Sequence, residues 1–412
     1  MRVGSSADVA IAGGGPAGSA AAITLCRSGR QVVLFDKATF PRDKCCGDGL
    51  TTAALRRLQH LGLDPQAVRS WEAVEAATVV ATDGYRLDLP LPAGAQFAAS
   101  ARRADLDAEL VLLARRAGAQ VIEGNAVTSV SDASGGEGIA VDLEDGGRLL
   151  ARYAIACDGA WSPVRKSLGL TEPGYLGDWQ AGRQYFDRVG PEARRLWVWF
   201  EPDLVPGYAW SFPLAGGAAN VGYGVIRSPG EAMGKLKGQR IDFLARPHIA
   251  AVLGPTARPV SPWKAWPIPA RIGSTTLTGL GGRVLFAGDA ARGCDPMTGE
   301  GIAQALETGE LAARAVVASG PYRPTLAAAR YERQIRWGLA LDDHLSRSLS
   351  RVLARPRGSA QALRVAGASP RTRAIFARWM FEDYPRAVLA TPHRWGRGMF
   401  HRPGAYGPAG AR

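Results

Sequence analysis

The stretch DVAIAGGGPAGSAAAITLCRSGRQVVLFDK, Asp8 to Lys37, leaves the chain little choice of fold. An apolar run suited to a buried parallel strand ends in Gly13-x-Gly15-x-x-Gly18, a helix of small residues follows, and a second apolar run ends at Asp36. Gly13 permits the tight turn, Gly15 lets backbone approach a pyrophosphate, and Gly18 lets the helix pack close to the strand. Pro16 and Ala17 open that helix, whose N-terminus favours phosphate charge. Asp36, with Lys37 beside it, stands where a carboxylate accepts hydrogen bonds from a ribose. A glycine triplet alone marks no more than a Gly-rich turn. Strand, helix and acid together predict a dinucleotide site.

A second run, RVLFAGDAARGCDPMTGEGIAQALETG from Arg283 to Gly309, narrows the dinucleotide. Val284 to Ala287 reads as a short buried strand ending in Gly288-Asp289, and after Pro296 the residues Gly299, Glu300, Gly301 and Ile302 open a long helix through Ala318. An acid at a strand end holds ribityl hydroxyls, and amides at a second helix N-terminus face the pyrimidine side of a flavin. This arrangement resembles the glutathione-reductase-like FAD proteins, in particular the branch that contains p-hydroxybenzoate hydroxylase. Arg103, ahead of a helix from Asp105 to Ala117, and Asp158-Gly159, after the strand-like YAIAC, match the RxxLD and DG elements of that branch. The resemblance implies an α/β fold, a glutathione-reductase-like FAD-binding Rossmann domain with an inserted antiparallel-sheet substrate domain and C-terminal helices. It places Val127 at the cofactor as well.

With 412 residues the chain has room for two or three domains. The FAD-binding domain is expected over residues 1–75, 100–175 and 272–320. The substrate domain is expected over 76–99 and 176–271, where patterns such as RLWVWFEP and GYAWSFPL alternate as in a sheet with one buried face. A basic helical segment over 321–393 and a frayed Gly/Pro/Arg tail over 394–412 complete the chain. Leu341, Leu345, Leu349 and Leu353 recur every four residues, with Arg347, Arg351 and Arg355 on another face, so the leucines are expected to pack in a core. No segment approaches ~20 consecutive apolar residues, so no membrane-spanning helix is expected. The start runs almost directly into the first strand without a signal peptide, which points to the cytoplasm or the cytosolic face of a membrane. Five scattered cysteines, Cys26, Cys45, Cys46, Cys157 and Cys294, form no CxxC pair and argue against a disulfide framework or a zinc site.

Charge is unevenly placed. The net charge is +13, and from Arg323 onward 17 arginines stand against five acids, a surplus of 12. Without a zinc finger or a basic zipper, nucleic acid is a poor partner for this surplus. An anionic membrane surface is the better one, since each basic residue near such a leaflet contributes about 1 kcal/mol. An ordinary solvated surface is the plain alternative.

Two motifs narrow the branch further. PRDKCCGDGLTTAAL follows the first βαβ unit, and Tyr208-Ala-Trp210-Ser-Phe212-Pro213 is followed by Gly222-x-Gly224. Here the chain resembles the geranylgeranyl reductase family, whose pattern YxWxFP…GxG is met by Tyr208, Trp210, Phe212, Pro213, Gly222 and Gly224; the PRDKxCGDGLT wording is close to its actinobacterial menaquinone reductases. The three rings alternate on one strand face and can line an apolar slot, with the Tyr hydroxyl free to orient a ligand. Plain sheet core is the alternative reading. The paired glycines are expected to let flavin or substrate approach the strand.

The family implies reduction of isolated C=C bonds in an isoprenoid lipid by reduced FAD, hydride leaving flavin N5 and a proton arriving from a donor or water. It makes Tyr208 and Trp210 candidates for catalysis beside Cys46, which matches the family's cysteine near the flavin, and sets Gly47 against the cofactor. Tyr208, Trp210, Phe212, Gly222 and Gly224 are the expected substrate contacts. Cys45 departs from the pattern. With no second complete GxGxxG unit, the electrons must come from a transiently docked donor, NAD(P)H or ferredoxin.

The same scaffold carries flavin monooxygenases and halogenases. Halogenases have GWxWxIP where this chain has GYAWSFP, and need a lysine that captures hypohalous acid, yet none lies between Lys44 and Lys166. Hydroxylases of the branch usually follow Gly-Asp-Ala with His, where this chain has Ala291-Arg292. Oxygenation or halogenation of a small aromatic or polyketide remains the competing activity.

Overall fold

A computed structural model describes residues 6–133, 138–227, 243–396, 399 and 402–407. Ser6–Ala12 (β1), Pro16–Arg27 (α1) and Val32–Asp36 (β2) form where the apolar runs and the glycine triplet place them. The chain then passes through Gly49–Thr51 (β3), Thr52–Leu61 (α2), Glu72–Ala73 (β4), Ala76–Val80 (β5), Arg86–Pro90 (β6) and Ala98–Ser100 (β7). Arg103–Arg116 (α3), Gln120–Glu123 (β8), Val127–Asp132 (β9), Ile139–Leu143 (β10), Arg148–Ala156 (β11) and Pro163–Ser167 (α4) follow. A second excursion holds Trp179–Asp187 (β12), Leu196–Trp199 (β13), Tyr208–Leu214 (β14), Ala218–Ile226 (β15), Pro247–Leu253 (α5), Arg258–Pro259 (β16) and Lys264–Ile268 (β17). Thr278–Gly279 (β18), Val284–Phe286 (β19) and Ile302–Ser319 (α6) come next. The last helices are Pro324–Trp337 (α7), Leu339–Leu353 (α8), Pro356–Gly367 (α9) and Pro370–Met380 (α10).

The first large sheet has the order β18-β19-β11-β1-β2-β8, with β10 on β11 and β9 on β10. Its centre is parallel, β1 lying between β11 and β2, and β19 extends it beside β11. Parallel strands need cover on both faces, which is why β1 and β2 are nearly continuous apolar runs with Val9, Ile11, Leu34 and Phe35 buried. α1 and α6 pack so closely that a side chain at Gly309 would collide with the Ala17 carbonyl. This close pairing brings the two glycine-bearing helix starts to one edge of the sheet.

The second large sheet has the order β16-β12-β15-β14-β13-β5-β6, with β17 on β12. Its pairs are antiparallel except β13 with β5. Residues 76–90 supply β5 and β6 to it, whereas Ala98–Ser100 pairs instead with β3 and β4 in a small third sheet.

Two expectations for the C-terminal segment need correction. The leucine stripe of α8 is only half-buried; the buried residues are Ala340, Asp342, Asp343, Ser346 and Ser350. Hydrogen bonds decide the orientation. Ser346 Oγ donates to Asp295 Oδ2 at 2.8 Å, Asp342 Oδ1 accepts from the Ala387 amide at 2.8 Å, and Arg394 closes a salt bridge to Asp342 at 2.8 Å. Of the tail, residues 397, 398, 400, 401 and 408–412 lie outside the described residues. The part from 402 to 407 is docked rather than frayed: Ala405 and Gln96 exchange both backbone hydrogen bonds, and Tyr406 sets its ring edge-on to Trp71 at 5.8 Å. No helix among the described residues is long and apolar enough to cross a membrane.

Candidate active site

A cavity of about 650 Å³ is lined from both large sheets. At the start of α1 it meets Gly13, Gly15, Pro16 and Ala17. Gly13 has φ +99°, and any side chain there would run into the Cys157 carbonyl. Gly18 lies outside the cavity, packed on the Gly13 carbonyl. Asp36 is fixed at the strand end by the Gly14 amide at 2.7 Å and the Ala38 amide at 2.8 Å. Lys37 and Val127 line the same end.

Two guanidiniums stand over Gly15. The Nη2 atoms of Arg42 and Arg103 lie 3.6 and 3.8 Å from where a Cβ at position 15 would be. Asp107 holds both, Arg103 through two bonds of 2.8 Å and Arg42 at 3.2 Å. Burial works against the Arg103 charge, but Asp107 outweighs it and keeps the guanidinium above its ordinary pKa. Asp158 also lines the cavity; its Oδ2 accepts from the Val164 amide at 3.0 Å, while Oδ1 is buried without a partner.

Against Ala17 of α1, β19 runs out into Gly288 and Asp289. Asp289 Oδ2 pairs with Lys44 Nζ at 3.0 Å. Burial alone would raise this carboxyl, yet Lys44 and Arg103 hold it below the usual range. The following loop is shaped by Asp295, whose Oδ1 accepts from the amides of Met297 at 2.9 Å and Thr298 at 2.8 Å. It presents Gly299, Glu300, Gly301 and Ile302 to the cavity. Pro296 faces away from it, its carbonyl taking the Trp179 Nε1 proton at 3.0 Å.

The third wall is aromatic. Tyr208, Trp210 and Phe212 line the cavity from β14, neighbouring ring centroids 5.9 and 6.0 Å apart. Tyr208 donates its hydroxyl to the Thr298 carbonyl, tying the wall to the loop, and burial raises its pKa. Against Trp210 and Phe212 lies the Cys46-Gly47-Asp48-Gly49 turn: a Cβ at Gly49 would be 3.0 Å from the Phe212 ring. Asn220 fastens this turn, donating to the Cys46 carbonyl and to Asp48 Oδ2, both at 2.8 Å, and accepting from Trp210 Nε1 at 3.0 Å. Tyr185 adds a 2.7 Å bond to Asp48 Oδ2. Asp48 takes the left-handed backbone at φ +65°, which Asp tolerates better than most residues. Burial pushes its carboxyl up to about 6 and the Cys46 thiol up to about 11.

Most of the expected residues thus converge: Cys46, Gly47, Gly13, Gly15, Pro16, Ala17, Asp36, Lys37, Arg103, Val127, Asp158, Gly288, Asp289, Gly299, Gly301, Ile302, Tyr208, Trp210, Phe212 and Gly224 all line one cavity. Gly18, Pro296 and Gly222 do not. Gly222 serves Trp210, its strand partner, rather than a ligand. Arg42, Lys44, Asp48, Tyr185 and Asn220 were not singled out from the sequence. The first three sit in or beside the PRDKCCGD motif, which is the signal that would have found them; Tyr185 and Asn220 carry none.

The FAD binding domain family model matches residues 6–313. The chain belongs to this FAD-binding family. The flavoprotein is 33% identical to the menaquinone reductase of Mycolicibacterium smegmatis over 372 residues, 84% of this chain and 82% of that protein. It is 30% identical over 350 residues to digeranylgeranylglycerophospholipid reductase 1 of Methanopyrus kandleri, covering 80% and 85%. Among solved structures, a geranylgeranyl bacteriochlorophyll reductase-like protein of Thermoplasma acidophilum superposes with a TM-score of 0.77 at 21% identity, covering 94% of this chain and 99% of that one. The halogenase PltM reaches a TM-score of 0.69 at 17% identity, with 94% and 84% covered, which speaks for the fold alone. The flavoprotein is an FAD-dependent oxidoreductase of the geranylgeranyl and menaquinone reductase type. Its lining fits the cofactor: the glycine-bearing start of α1 and the Arg42 and Arg103 guanidiniums beside Gly15 supply the donors a pyrophosphate needs, and the Asp36 and Asp289 carboxylates line the same cavity for ribose and ribityl hydroxyls.

Proposed function

We propose that the flavoprotein reduces isolated C=C bonds in the polyprenyl chain of a menaquinone or geranylgeranyl-type lipid. The observation that carries this reading is the Tyr208–Trp210–Phe212 wall, which offers an isoprenoid an apolar face at the end of the cavity that also holds Cys46 and Glu300. Reduced FAD, when bound, supplies the hydride. Arg42 and Arg103 anchor the pyrophosphate, Asp36 the ribose and Asp289 the ribityl chain, so that the aromatic wall and the Cys46 turn bound the space left for substrate. Cys46, protonated at neutral pH, and Tyr208, tied to Thr298, line that space. Electrons enter from an external donor, NAD(P)H or ferredoxin.

We further propose that the basic C-terminal helices carry the flavoprotein to a lipid surface. Val352, Val365 and Ile375 are 55, 70 and 51% exposed on helices that carry the arginine surplus, a combination suited to an anionic leaflet. Flotation with liposomes tests this: binding indifferent to anionic lipid refutes it.

The activity is tested by mixing dithionite-reduced protein with menaquinone and with geranylgeranyl diphosphate under anaerobic conditions and weighing the lipids by mass spectrometry. The expected gain is one pair of hydrogens per reduced bond, dependent on FAD. No gain in either lipid, with substrate-dependent oxygen uptake in air, points to a monooxygenase or halogenase instead.

A further inference from the structure

Two cavities share Cys294, whose sulfur lies against Gly301 at the N-terminus of α6. Glu300 lines the large one, while Glu382 and Gln304 line a second, of about 270 Å³. Glu382 is 8% exposed and accepts hydrogen bonds from Thr51 Oγ1 at 2.9 Å and Gln304 Nε2 at 3.0 Å, with Arg386 Nη2 at 3.4 Å. The oxygen of the same Gln304 amide is buried without a partner. An amide that donates to an ionised carboxylate through its nitrogen can, once flipped, accept from the protonated acid through its oxygen. The Gln304 amide thus has the groups to bond Glu382 in either protonation state. Glu300 is faced by Glu382 and Arg103, and by Cys46, Tyr208 and Cys294 from the remaining walls; Asp295 and Arg386 face Glu382.

We propose that Glu300 delivers the proton that accompanies hydride onto the double bond, and that Glu382 replenishes it from water in the second cavity. This rests on the reductase reading above. The Glu300 O–H bond breaks as the alkene π pair forms a C–H bond on one carbon; the hydride, with its own electron pair, comes from the reduced cofactor to the neighbouring carbon. The substrate gains two hydrogens, and Glu300 is left as a carboxylate until Glu382 returns a proton. Burial, reinforced by the Glu382 charge, pushes the Glu300 carboxyl up to about 7, so the acid form is available at neutral pH. The Cys46 thiol, pushed up to about 11, is a far weaker acid in the same cavity.

The first arm of the test needs no turnover. In FAD-loaded protein with glutamate carboxyl carbons labelled with 13C, the resonance missing from E300Q should titrate near neutrality, and in E382Q its midpoint should fall, because a like charge has gone. A midpoint near the ordinary value of about 4.3 overturns the proposal. In anaerobic single turnover with a geranylgeranyl lipid, E300Q, which keeps the oxygen that caps the Ile302 amide, should slow reduction by about 10²-fold, and the wild-type rate should fall as pH rises through neutrality. E300Q with the wild-type rate and pH profile overturns the role of Glu300 and leaves the reductase reading standing. A wild-type protein that reduces no polyprenyl chain overturns both.

Discussion

Trp210 stands opposite Gly222 across the β14–β15 pair, and its indole fills the place any side chain at 222 would need. A Cβ there would sit 2.5 Å from Trp210 Cζ2 and closer still to the Gly182 carbonyl, which is backbone and cannot rotate away. The aromatic wall and the glycine pair are thus linked: Tyr208 and Trp210 stand opposite Gly224 and Gly222, where the neighbouring strand has no side chain, while Phe212 stands opposite Asn220.

Gly222→Ala should therefore destabilise the protein by about 1–3 kcal/mol, the usual cost of overpacking. Urea unfolding followed by tryptophan fluorescence measures it, and an unchanged midpoint contradicts the packing described. Gly224, whose nearest neighbours would be 3.4 Å from an added Cβ, should tolerate Ala better.

Asp48 gives the chain a pH signature. Its folded pKa of about 6 lies above the ordinary value of about 3.9, so the folded state holds a proton that the unfolded state has lost between those values. Its contribution is fully present below pH ~4 and is lost as pH rises through 6, a change on the order of 3 kcal/mol. The difference in unfolding free energy between wild type and Asp48→Asn should change across that window; parallel curves would refute the raised pKa.

Arg103→Gln breaks a buried ion pair and removes one of the two guanidiniums over Gly15. Loss of stability by about 1.5–3 kcal/mol is expected, since Asp107 loses its two-bond partner and keeps only Arg42. Flavin titration should show weakened FAD affinity as well, and FAD binding at wild-type strength would move the pyrophosphate elsewhere.

Tyr208→Phe leaves the Thr298 carbonyl without its donor. A loss of about 1 kcal/mol follows, together with slower lipid reduction. Rescue would come only from a side chain that again reaches Thr298, so Tyr208→Leu should behave no better.

On α8 the buried face is polar, and a pair of substitutions tests it. Ser346→Leu should cost about 1–3 kcal/mol, since it loses the Asp295 bond and overfills the contact, while Leu345→Ser should cost less. The reverse order would restore the leucine stripe as the core.

What the sequence made legible is what repeats locally. The strand, Gly13-x-Gly15-x-x-Gly18 and Asp36 lie within one βαβ unit, and Tyr208, Trp210 and Phe212 within one strand, so spacing alone places each set. Asn220 and Tyr185 meet Asp48 from 172 and 137 residues away, and no periodicity announces such a meeting. The α8 stripe misled for a different reason: side-chain hydrogen bonds to Asp295 and Ala387 outweighed hydrophobic periodicity, and these partners are visible only once the chain is folded.

The strand order of the first sheet also sets a timetable for synthesis. β11 pairs with β1 on one side and, on the other, with β10 over Arg148–Ala151 and β19 over Ala154–Ala156, so this apolar stretch at the end of β11 stays unpaired until Val284–Phe286 has left the ribosome. Long-range pairings of this kind form slowly and expose sticky surface while they wait. A message cut short before that strand would yield a fragment for the chaperones and proteases, not a smaller flavin-binding protein.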